Sequence, residues 1–115
     1  MKKLSILILL ALVVTVPAYA QLGDTDNSSF VIQNLGASDA TVTVTFYDEA
    51  GADATPNPLL PGADGTCGTG DDVANPFVLA SAAKQDVYMP SVCSLADGRY
   101  SVVIESTEPL AVVAN

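Results

Sequence analysis

Histidine and tryptophan are both absent from the 115 residues, and only four basic residues stand against 13 acids. Without histidine there is no Ser-His-Asp or Cys-His relay, because the nucleophile has no imidazole base to activate it. The same absence removes the commonest nitrogen ligand of zinc and other transition metals. So acidic a chain is repelled by phosphate backbones and offers no polybasic patch for anionic lipid. No Gly-x-Ser-x-Gly, P-loop or dinucleotide fingerprint occurs. The sequence therefore predicts a protein with no catalytic activity, no cofactor and no nucleic-acid partner.

Long apolar runs are also scarce. The one greasy stretch, Leu4 to Val16, follows Lys2 and Lys3 and is closed by Ala18-Tyr19-Ala20. A basic start, an apolar middle and a small-x-small end make a secretory signal peptide, and the run is shorter than the roughly 20 residues that span a bilayer. Residues 1–20 are read as a cleaved leader, with no membrane span afterwards and a secreted or cell-surface destination. Cleavage leaves 95 residues beginning at Gln21, enough for one small domain. It also removes Lys2 and Lys3, so Lys84 and Arg99 alone face all 13 acids and the net charge moves from −9 to −11.

After a polar lead (21–28), short strands follow one another through residues 29–115. Ala40 to Asp48 alternates strictly, with Val42, Val44 and Phe46 on one face and Thr41, Thr43, Thr45 and Tyr47 on the other. Period two in β-branched residues is the pattern of a half-buried antiparallel strand. Arg99 to Glu105 repeats it, with Tyr100, Val102 and Ile104 facing inward. Weaker strands are read at Ser29–Gln33, Pro76–Ala80, Lys84–Met89 and Leu110–Ala114. No helical periodicity is sustained, so the fold class is all-β: an antiparallel sandwich of six to seven short strands.

Residues 52–75 break the pattern. Pro56, Pro58 and Pro61 deny ladder donors, and Gly62, Gly65, Gly68 and Gly70 punctuate the rest. This segment reads as a loop insertion, ordered near Cys67 and mobile elsewhere. Two cysteines in an exported chain default to a disulfide. Bonding Cys67 to Cys93 would pin this flap and stabilise the fold by about 3.5 kcal/mol through loop closure. Calcium is the one ion with candidate ligands: Asp24 and Asp26 in the lead, and Asp64, Asp71 and Asp72 in the flap. Both groups offer hard oxygens, and neither matches the twelve-residue EF-hand pattern.

Asp97-Gly98-Arg99-Tyr100 resembles the tyrosine corner of immunoglobulin-like sandwiches, in which the hydroxyl bonds to upstream backbone. The stretches from Ser29 to Gly36, from Ala40 to Gly51 and from Tyr100 to Asn115 resemble the opening and close of Ig-like modules in bacterial secreted and surface proteins, which often occur in tandem. That resemblance implies an Ig-like fold and an adhesive or scaffolding context, carries over no catalytic residue, and does not cover 52–75. It leaves open that the chain is one unit of a longer tandem protein.

Three functions suit these features. The first is a structural or adhesive surface module, partnered by copies of itself or by other surface proteins. The second is a filament subunit, in which Leu110–Ala114 or the N-terminal segment adds to a neighbour's sheet. The third is a carbohydrate- or ligand-binding module using the flap and outward Tyr47 and Tyr88.

Overall fold

Val42, Val44 and Phe46 are fully buried and Thr41 and Tyr47 are exposed, so the alternation read in this stretch is the alternation of a sheet with one face on a core. The computed structural model describes residues 14–20 and 28–114. Its strands are β1 (Val14–Ala20), β2 (Ser29–Asn34), β3 (Ala40–Tyr47), β4 (Phe77–Leu79), β5 (Lys84–Tyr88), β6 (Gly98–Ser106) and β7 (Leu110–Ala114). One 3-10 turn, Met89–Ser91, is the only helical element among the described residues. The six strands expected beyond the leader all form, with bounds within a residue or so of those read from the pattern.

The strands make two antiparallel sheets, ordered β1-β6-β3-β4 and β5-β2-β7. Each has one apolar face, and the two faces share a single core. Phe30 and Ile32 of β2, Val87 of β5 and Leu110 of β7 meet Val42, Val44, Phe46, Val102 and Ile104 of the larger sheet.

Two buried asparagines fasten the strands, Asn34 across the two sheets and Asn75 within the larger one. Asn34, at the end of β2, donates through Nδ2 to the Leu79 carbonyl of β4 at 2.9 Å and to the Ser38 carbonyl at 2.8 Å. Its Oδ1 accepts the Gly36 amide at 2.8 Å, so a polar group wholly inside the fold is fully satisfied. Asn75, just before β4, does the same for Val44 of β3.

The expected flap is attached more firmly than its prolines suggest. Leu59 is fully buried and Leu60 nearly so, and both belong to the core. Leu60 bridges Val73, and the Leu59 carbonyl accepts the Cys93 amide at 3.0 Å. Prolines deny ladder hydrogen bonds but do not prevent burial, so the base of the segment joins the body. Its tip, residues 63–71, is exposed throughout.

Candidate functional site

The turn that leads into the flap is set by Asp48, whose Oδ1 accepts the amides of Ala50 and Ala52 at 2.9 Å each and turns the chain back along β3. Ala54 donates to the Phe46 carbonyl at 2.8 Å, and the Thr55 hydroxyl accepts the Phe46 amide at 2.9 Å. The Thr55 hydroxyl and amide hold the Asp53 carboxyl below its ordinary range. The chain then dives through Leu59 and Leu60, loops out, and returns at Val73. Gly62 lies against the returning leg, and a Cβ there would overlap the main-chain carbonyl of Asp71. The Cys67–Cys93 disulfide, with Cα atoms 5.9 Å apart, fastens the tip to the body.

At this tip Asp64, Asp71 and Asp72 gather, each offering a carboxylate oxygen within 4.8 Å of the others. Local donors serve the cluster. Asp71 Oδ2 accepts the Asp64 amide at 3.1 Å, and the Thr69 hydroxyl donates to Asp71 Oδ1 at 2.6 Å. Asp72 Oδ2 accepts the amides of Gly68 and Thr69. The Thr69 hydroxyl first, and the Asp64 amide second, hold the Asp71 carboxyl below its ordinary range. These three residues could hold a hard cation through their remaining lone pairs. The hydrogen-bond net also accounts for their meeting as a loop-folding device. Asp24 and Asp26, the other calcium candidates, lie outside the described residues.

An open hollow of about 320 Å³ lies where the Asp48 turn meets the start of β6, lined by Asp48, Glu49, Ala50, Asp97, Gly98, Arg99 and Tyr100. The Tyr100 hydroxyl donates to the Ala96 carbonyl at 2.6 Å, the upstream bond expected of a tyrosine corner. Burial, and then the negative charges of Asp48 and Asp97, push this phenol above its ordinary range and keep it a donor. Its ring meets Phe46 edge-on at 6.4 Å. The hollow is shallow, and its tyrosine is committed to the fold.

Tyr47 and Tyr88 are both exposed. They stand on the outward faces of different sheets, so the sandwich points them away from each other and no one sugar ring can meet both. β7 is an edge strand of the smaller sheet, with Val113 61 % exposed. The larger sheet holds the less expected feature. Val14–Ala20, the end of the segment read as a leader, runs antiparallel along β6 in seven consecutive pairs from Val14–Ile104 to Ala20–Gly98. Sequence patterning missed this strand because a leader's apolar run and a buried strand look alike. Among the described residues, no helix is long and apolar enough to cross a membrane.

No protein-family model matches the chain, and no curated protein matches it in sequence. Among solved structures its fold is similar to that of the Anabaena sensory rhodopsin transducer, with a TM-score of 0.59 and 16 % identity, over 90 % of this chain and 93 % of that one. At this identity the likeness establishes the all-β fold and nothing of what the chain binds.

Proposed function

We propose that this chain is an exported structural or adhesive module: a non-catalytic, Ig-like β-sandwich that works outside the cytoplasm against copies of itself or other surface proteins. The observation that carries the reading is the Cys67–Cys93 bridge, which joins a loop tip to a buried cysteine next to the core. Such a staple persists in an oxidising compartment and is lost to cytosolic reductants. Basic start, apolar run and Ala18-Tyr19-Ala20 supply the matching address. The tyrosine corner at Tyr100 and the two facing sheets support the Ig-like reading. With Tyr47 and Tyr88 on opposite faces, a structural or adhesive role has more support than a sugar platform.

The test is intact mass spectrometry of the chain recovered from the exported fraction, after alkylation without reductant. A species beginning at Gln21 with neither cysteine alkylated is expected, and protease shaving of intact cells should release it. A chain retained in the cytosol from Met1, with both thiols alkylated, would sink the proposal.

A further inference from the structure

We propose that removal of residues 1–20 opens the outer edge of β6, and that this edge pairs antiparallel with the same edge of a second copy about a two-fold axis through Val102. The inference rests on reading those residues as a leader. At nine residues β6 is the longest strand described. One side of it is paired to β3, and among the described residues the other is covered by Val14–Ala20 alone. The seven unbroken pairs show that the outer edge accepts an antiparallel strand without a bulge from Gly98 to Ile104. Once vacated, it presents a row of unpaired amides and carbonyls on a long, regular strand, the kind of edge that recruits another strand. β4, the opposite edge of the same sheet, is only three residues long.

The sequence of this edge is complementary to itself. Val102 is the midpoint of Gly98–Ser106, so a two-fold axis there uses the whole strand. Tyr100 then faces the partner's Ile104, and Val102 faces the partner's Val102. These are core-side residues, and they would extend one apolar face across the join. On the outer side Ser101 faces the partner's Val103, and Arg99 faces the partner's Glu105, a charge pair that symmetry repeats at the other end. Arg99 and Glu105 are both exposed. Moving the axis one residue, to Ser101 or Val103, keeps the faces in phase but sets Arg99 against Val103 or Thr107. Only the central register matches the charges. Arg99 is also one of just two basic residues left after the leader, so half the positive charge of a strongly acidic chain lies where a copy of itself offers a carboxylate. The product is one continuous sheet, β4-β3-β6 from each copy, closed by an isologous contact.

The test compares the chain beginning at Gln21, whose described core lies entirely between Phe30 and Leu110, with the chain beginning at Met1. Sedimentation velocity at salt sufficient to screen the net charge should show a concentration-dependent dimer for the first. The second, its β6 edge covered, should stay monomeric. R99E or E105R places like charges opposite each other twice per dimer, so each should weaken association about tenfold or more, and R99E/E105R together should restore it. Circular dichroism melts check that each variant folds, and recovery in the double variant decides the matter even if a single one is damaged. A Gln21 chain that is monomeric at every concentration, or a dimer indifferent to both single changes, overturns the proposal; the latter would point instead to the β7 edge. If N-terminal mass shows that the exported chain keeps residues 14–20, the leader reading falls, while the Gln21 chain still decides whether the edge pairs.

Discussion

Asn75 completes the ladder of Val44 with its side chain: Oδ1 accepts the Val44 amide at 3.1 Å and Nδ2 donates to the Val44 carbonyl at 2.7 Å. β3 and β4 pair only from Ala40–Leu79 to Val42–Phe77. Two residues further along β3 the same register would set Val44 opposite Asn75, whose backbone amide is given instead to Asn57 Oδ1 at 3.3 Å, so the main chain leaves Val44 open. The carboxamide supplies both missing bonds at a buried position.

Asn75→Ala strips a buried amide and carbonyl of their partners, at a cost of about 2–4 kcal/mol. For a domain of this size that lowers the melting temperature by about 10 °C or more. Asn75→Asp keeps the shape but cannot donate to the Val44 carbonyl while ionised. Its burial raises the carboxyl pKa, so the penalty is present above that pKa and relieved as pH falls through it. Thermal melts should find Asn75→Asp closer to the parent at pH 4 than at pH 7. A variant equally stable at both would show that water replaces the amide.

Tyr100→Phe tests the corner. The change deletes only the oxygen that donates to the Ala96 carbonyl at 2.6 Å. The ring and its edge-on contact with Phe46 remain. A loss of about 1–1.5 kcal/mol is expected, read as a shift of the denaturation midpoint at unchanged slope.

The strands were legible because their chemistry is local. Val42, Val44 and Phe46, or Tyr100, Val102 and Ile104, announce their faces by period two alone. Asp97-Gly98-Arg99-Tyr100 likewise carried its own signal. Asn75 was not legible, since its value lies in a carbonyl and an amide 31 residues away. Leu59 and Leu60 were hidden for another reason: surrounding prolines and glycines marked a loop, yet two adjacent leucines there were a sign of burial. The meeting of Asp64 with Asp71 and Asp72 was visible as a cluster, but the donors that organise it, Thr69 and the backbone amides, emerge only from the folded loop.

Opening the Cys67–Cys93 bridge should loosen the flap before the sheets. The chain-entropy model assigns about 3.5 kcal/mol to a loop of this length, and the sequence separation is 26. Reductant should therefore lower the melting temperature by well over 10 °C. Hydrogen exchange should rise first in residues 61–73, while Val44, Val102 and Ile104 stay protected. Because the Cys93 amide still donates to the Leu59 carbonyl, the base of the segment should hold on longer than its tip. Simultaneous loss of protection throughout would make the bridge a condition of the whole fold.

The flap tip should also respond to acid. The Asp71 carboxyl is held below its ordinary range by the Thr69 hydroxyl and the Asp64 amide, so its ionised form belongs to the folded loop. A depressed carboxylate contributes stability that is present above its unfolded pKa and lost as pH falls through the folded one. The loop should stay ordered at neutral pH and loosen as pH drops below about 4. Asp71→Asn removes the contribution of this carboxylate to the acid response: with one acceptor oxygen in place of two, the loop is looser than the parent at neutral pH and alike in acid. Amide chemical shifts of Asp64, Thr69 and Asp72 across an acid titration report the change directly. Shifts that move at Asp72 but not at Asp64 would show that Asp71 does not organise the tip.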